Sequence, residues 1–242
     1  MVDPKAPRFE FTIADVPAGR ALTAEEMERL LLQALEKSGG TSKQVLWELA
    51  RVYSGANRHD EALACLQKIV ASTDVREDQA SCYLGMGQLH EQLGDFAAAV
   101  RYYRTAFSLQ PQNTATWYFI NNNLGYSLIQ LGQFDEAEPY LHAAVAIDPD
   151  RANAHKNLGL ALLGQGAHAK AAQRFVSATR ANAADSRSLG HLEELVARHP
   201  EVLDEVRGLG DELDACRKAV AMAASQQPDF EAHWKERRRR EN

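Results

Sequence analysis

The sequence predicts an all-α protein made of stacked helix-turn-helix repeats. First, three segments align without gaps: MGQLHEQLGDFAAAVRYYRTAFSLQP from Met86, LGYSLIQLGQFDEAEPYLHAAVAIDP from Leu124 and LGLALLGQGAHAKAAQRFVSATRANA from Leu158. Second, small residues share columns: Gly87, Gly125 and Gly159; Gly94, Gly132 and Gly166; Ala99, Ala137 and Ala171; Ala106, Ala144 and Ala178. Third, each segment holds two apolar patches at helical spacing, such as Tyr83, Met86, His90 and Leu93 followed by Val100, Tyr103 and Phe107. Repeats of this kind bury their faces only against neighbours.

The elements follow in chain order. Residues 1–21 hold Pro4, Pro7 and Pro17, which oppose a helix, and the alternation Phe9, Phe11, Ile13, so an extended N-terminal arm is expected. Residues 22–40 read as one helix, with Thr23 and Glu26 forming a capping box and Gly39-Gly40 ending it. Four units span 43–184. The first, LARVYSGANRHDEALACLQKI, is the most divergent, with Ala50, Ala62 and Ile69 in the repeat columns. In the second and third units a Gly-Asp or Gly-Gln pair stops the first helix and starts the second.

The period varies: 37 residues from Ala62 to Ala99, 38 from Ala99 to Ala137 and 34 from Ala137 to Ala171. The polar stretch Ser72 to Asp78 reads as a longer loop. The extra residues around Thr114 to Trp117 amount to about one helical turn, so that helix is expected to start early, near Asn113 or Thr114. Residues 185–225 carry Leu189, Leu192, Leu195, Val202, Leu209, Leu213 and Cys216 at helical spacing and read as capping helices, with a kink or break near Gly208 and Gly210. Residues 226–242 form a charged tail ending in Arg237 to Arg240.

Composition narrows the function. Of 242 residues, 45% are hydrophobic, which excludes global disorder, and the net charge of -6 argues against a nucleic-acid backbone binder. No apolar run approaches the ~18 residues of a membrane span. The first 30 residues lack the apolar stretch of a secretory signal. Cys65, Cys82 and Cys216 are odd in number and far apart, which suits reduced thiols in a cytoplasmic chain. The eight histidines show no metal-ligand spacing, Gly164-Gln165-Gly166 lacks the strand and lysine of a phosphate loop, and no catalytic set emerges. No enzyme activity, metal or cofactor is expected.

The motifs resemble the tetratricopeptide repeat (TPR) family, whose pattern is W-x2-L-G-x2-Y, then A-x3-F, then P. One unit supplies Tyr83, Met86-Gly87, His90, Ala99, Tyr103 and Pro111, and the next Leu124-Gly125, Ala137 and Pro149. The last has His155, Leu158-Gly159, Leu162, Ala171 and Phe175, with Ala183 replacing the proline. The resemblance implies a right-handed α-solenoid in which the first helix of each unit lines a concave groove that takes up a partner segment. Net acidity and the Leu-Gly pairs disfavour the RNA-binding pentatricopeptide look-alike.

On that basis the candidate peptide-binding residues are Trp47, Arg51, Gln88, Phe119, Asn122, Asn123, Tyr126, Asn153, Lys156 and Asn157. Phe119, Asn122, Asn123 and Tyr126 stand at i, i+3, i+4 and i+7, one helix face. Asparagine suits the role because its amide both donates and accepts, and so pairs with a peptide bond of any sequence. A TPR subclass clamps the C-terminal carboxylate of chaperones. Lys156 and Asn157 fit part of that pattern, but Trp47 and Arg51 stand where a lysine and an asparagine are required. The expected function is a protein-interaction adaptor binding a peptide segment. The alternative is a self-assembling scaffold, suggested by the consecutive aromatics Trp117, Tyr118 and Phe119, which point in different directions.

Overall fold

The computed structural model describes residues 22–226, which form helices and no strand. The arm expected at 1–21 and the tail beyond 226 lie outside the described residues. The chain divides into two compact units, Met1–Leu131 and Gly132–Asn242. The first holds α1 (Ala24–Lys37), α2 (Lys43–Gly55), α3 (His59–Ala71), α4 (Arg76–Gln92), α5 (Phe96–Ser108) and α6 (Thr114–Gln130). The second holds α7 (Phe134–Ile147), α8 (Ala152–Gly164), α9 (His168–Ala181), α10 (Arg187–Arg198), α11 (Val202–Glu205) and α12 (Leu209–Gln226).

Within the first unit α2 pairs with α3 and α4 with α5, and α6 packs on both α4 and α5. Its core includes Leu31, Leu46, Leu49, Leu66, Ile69 and Met86, all nearly inaccessible to solvent. In the second unit α8 pairs with α9, and α10, α11 and α12 pack on α9. Leu158, Phe175, Leu192, Val202 and Leu209 fill that core.

Local chemistry explains the helix ends. Thr23 and Glu26 form the reciprocal capping box at α1, with bonds of 2.9 and 3.2 Å. The α4–α5 turn needs a left-handed residue, and Gly94 supplies it at φ +74°; Asp95 then caps α5 by accepting from the Ala98 amide at 2.9 Å. The same left-handed break at Gly208, φ +79°, separates α11 from α12.

The expected long loop at Ser72 to Asp78 is corrected: α4 begins at Arg76, so the added residues lengthen the helix. The buried Thr73 organises this start. Its hydroxyl accepts from the Val75 amide at 3.2 Å and donates to Asp78 at 3.1 Å, while its carbonyl accepts from the Gln79 amide group at 2.8 Å. Glu77 and Asp78 in the first turn complement the helix dipole. The early start of α6 does occur, with Asn113 accepting from the Thr116 amide at 3.0 Å. The aromatic run there finds partners inside the first unit. Trp117 stacks on Phe107 with centroids 4.7 Å apart, Tyr118 is buried, and Phe119 lies edge-on to Tyr118 at 5.3 Å.

The Leu-Gly column has a steric cause. A Cβ on Gly87 would stand 2.3 Å from the ring of Tyr103, and one on Gly159 would stand 2.6 Å from the ring of Phe175. Both rings are fully buried. Gly87→Ala is therefore expected to destabilise the first unit by about 1–3 kcal/mol or more through overpacking. Urea denaturation of the purified variant checks this, with Gly55→Ala as a control at an open helical position.

Candidate peptide-binding surfaces

In the first unit the candidate residues lie on α2, α4 and α6. Trp47 is half-buried. Arg51 is exposed and pairs with Glu48 one turn earlier at 2.8 Å. Gln88 is exposed on α4, and one turn on Gln92 accepts from the Ser54 hydroxyl at 3.3 Å, linking α4 to α2.

On α6 the three consecutive asparagines diverge because each residue turns the helix by about 100°. Asn121 is buried and donates back to the Trp117 carbonyl at 2.8 Å, a packing role. Asn122 is 8% exposed, more buried than a groove-facing amide needs to be, and donates to the Asn123 side-chain oxygen at 3.0 Å. Asn123 itself is half-buried, as are Phe119 and Tyr126, and the Tyr126 ring sits edge-on to Phe96 at 6.1 Å. Phe119, Asn123 and Tyr126 are thus the members of this face that keep a surface for a ligand.

Behind this face lies a polar group that the sequence did not reveal. Glu91 of α4 accepts from the Ser127 hydroxyl of α6 at 2.7 Å. Tyr103 of α5 interacts with both Glu91 and the Asn123 amide. Burial pushes the Glu91 carboxyl up to about 7, against the opposing pull of the Ser127 and Tyr103 hydroxyls. Burial, with the Glu91 charge beside it, also raises the Tyr103 phenol. Asn123 thus accepts from Asn122 on its own helix and lies beside Tyr103 of α5, near the Glu91–Ser127 pair that links α4 to α6.

In the second unit Asn153, Lys156 and Asn157 lie on α8. Asn153 is exposed and accepts from the Lys156 ammonium at 3.4 Å, while Asn157 is 4% exposed. Burial pulls the Lys156 ammonium below its usual range, and Arg187 adds to the effect. Arg187 and His191 of α10 belong to the same neighbourhood, though neither was singled out from the sequence. Arg187 makes a bidentate pair with Asp185, at 2.8 and 2.6 Å, which holds the Asp185 carboxyl at about 2. Burial, together with Lys156, pulls His191 down, and its ring stacks on Phe175 at 5.4 Å. The result is a partly buried patch in which Lys156 supplies the excess positive charge beside amides, suited to carbonyl or carboxylate groups. Neither surface groups metal ligands. Among the described residues His168, His199 and Glu201 do, at the corner where α9, α10 and α11 meet.

Two family models, both described as tetratricopeptide repeat, match residues 42–112 and 122–187, together more than half of the chain. Among curated proteins, the peroxisomal targeting signal receptor of Kluyveromyces lactis is 30% identical over 95 residues, 39% of this chain and 16% of that protein. Tetratricopeptide repeat protein 7B of Homo sapiens is 30% identical over 138 residues, 57% of this chain and 16% of that protein. The chain thus spans under a fifth of either relative. Among solved structures, residues 41 to the end of MamA from Desulfovibrio magneticus RS-1 superpose with a TM-score of 0.60 at 22% identity, covering 76% of this chain and 97% of that one. YrrB, described as a TPR protein with an unusual peptide-binding site, superposes with a TM-score of 0.58 at 20% identity, covering 81% and 96%. These likenesses show the fold, an α-solenoid of helix-turn-helix repeats.

The raised carboxyl makes stability depend on pH in a defined direction. Native Glu91 holds its proton up to about pH 7, whereas the unfolded chain releases it near the ordinary glutamate value of 4.5. The native state therefore binds more protons between these values, and stability falls as pH rises through this window. Glu91→Gln is expected to flatten the urea-unfolding free energy between pH 5 and pH 8, and to stabilise the protein at the upper end by roughly 1–3 kcal/mol. An unchanged pH profile would show that the carboxyl ionises normally in the fold.

Proposed function

Since the chain belongs to the tetratricopeptide repeat family, we propose that it is an adaptor whose first-helix faces bind an extended peptide segment of a partner protein. The observation that carries this reading is the half-buried Asn123 amide. It accepts from Asn122, lies beside Tyr103, and is flanked on one helix face by Phe119 and Tyr126. A fixed amide can pair with the peptide backbone of a ligand while the two rings take up its side chains. On α8, Asn153 and Lys156 offer a second polar contact, for carbonyl or acidic groups.

Two comparisons support the reading. One relative is by name a receptor for a targeting signal, and one structural neighbour is described as having a peptide-binding site. None of the described helices is long and apolar enough to cross a membrane, which suits an adaptor working in the cytoplasm. A binding role, with no chemistry of its own, accounts for the family and for these faces.

A displayed random-peptide library panned on the purified protein tests the proposal. Selected peptides are expected to bind with affinity reduced by about 1 kcal/mol in Asn123→Ala, the worth of one ordinary hydrogen bond. Lys156→Ala is expected to weaken acidic peptides selectively. Equal affinity for wild type and a correctly folded Asn123→Ala, Lys156→Ala double variant would place binding elsewhere.

A further inference from the structure

Outside both faces, three metal-binding side chains meet at one corner of the second unit. His168 is the first residue of α9, His199 follows the last residue of α10, and Glu201 directly precedes α11. One ligand atom from each lies within 4.8 Å of the other two. The imidazole centroids are 3.6 Å apart, and His199 Nδ1 is 3.2 Å from the Glu201 carboxylate. Both rings are half-buried and Glu201 is exposed, so an ion can reach the cluster from solvent.

The backbone holds these positions firmly. Leu195 and Val202, 2% and 0% exposed, anchor the chain on either side of His199-Pro200-Glu201. The His199 amide donates to the Leu195 carbonyl at 2.8 Å, and the Val202 amide to the His199 carbonyl at 3.1 Å. On the other side, Ala171 and Ala172 are fully buried and fix the first turn of α9.

We propose that His168, His199 and Glu201 form a three-ligand site for a divalent transition-metal ion of the zinc type. Two imidazoles and one carboxylate suit such an ion, which takes nitrogen and oxygen donors at about 2.0–2.2 Å in tetrahedral geometry. Donors on one tetrahedral ion stand roughly 3.3 Å apart, a spacing that His199 Nδ1 and the Glu201 carboxylate already have at 3.2 Å. Hard ions such as magnesium and calcium prefer all-oxygen sets and are disfavoured here. Three protein ligands leave a fourth position for water or for a side chain of a bound partner. The site is independent of the peptide-binding reading, because none of its residues belongs to either face.

The experiment uses the full chain without a histidine tag, stripped of metal by a chelator. Co2+ is titrated while its visible absorption is followed, and Zn2+ is titrated by calorimetry. The expected result is saturation at one ion per chain, with the intense visible bands of four-coordinate cobalt. Binding is expected to weaken as pH falls, since protons compete for the imidazoles. His168→Gln and His199→Gln should each weaken binding more than about tenfold, as loss of a direct ligand requires at least the loss seen for outer-shell changes. His142→Gln, which removes a ring paired with Glu138 elsewhere, should leave binding unchanged. Circular dichroism of each metal-free variant checks folding; if His199→Gln alters the helical signal, His168→Gln decides alone. No saturable binding, one ion per two chains, or wild-type affinity in folded His168→Gln would overturn the proposal.

Discussion

The close approach of a glycine to an aromatic ring underlies the arrangement of both units. Gly87 lies under Tyr103 and Gly159 under Phe175, at distances that leave no room for a Cβ. Because the ring fills the space of the missing side chain, α4 seats closely on α5 and α8 on α9. The contact fixes rotation as well as distance. With the glycine turned towards the second helix, the far sides of α4 and α8 face away from that contact. In the proposed adaptor role, packing and recognition use two faces of the same helix.

The polar network behind α6 extends this logic. An asparagine in the middle of a helix is a mediocre helix former and competes with the backbone for hydrogen bonds. Here Asn121 donates to the Trp117 carbonyl, whereas Asn123 accepts from its neighbour Asn122 and lies beside Tyr103. Glu91 joins the same group through Ser127 and Tyr103. A side chain held from beneath loses less freedom when it meets a ligand, which lowers the entropic cost of binding. The buried carboxyl that helps to hold it is the component most sensitive to pH.

Much of this was legible in the sequence. The glycine and alanine columns gave the helix pairs, the Thr23 capping box gave the start of α1, and Gly208 gave the break between α11 and α12. The sequence misled at Ser72 to Asp78, because polar residues there read as loop, while the buried Thr73 and the acidic first turn make them a helix start. Helical spacing placed Phe119, Asn122, Asn123 and Tyr126 on one face but did not tell which were buried, since neighbouring helices settle that. Glu91 looked like any surface glutamate, and Arg187 and His191 stood on a helix read only as a cap. The corner of His168, His199 and Glu201 escaped for a related reason: His168 stands 31 residues before His199, and no local spacing unites it with His199 and Glu201.

The proposed adaptor role requires that ligands bind on the first helices of the repeats. The measurement that tests it most directly is chemical-shift mapping of backbone and side-chain amides with a bound peptide. The account predicts that the largest changes fall on α2, α4, α6 and α8, with the Asn123 side-chain amide among them, and that α3, α5 and α9 change little. Shifts concentrated on α3, α5 and α9, or confined to the turns, would contradict it.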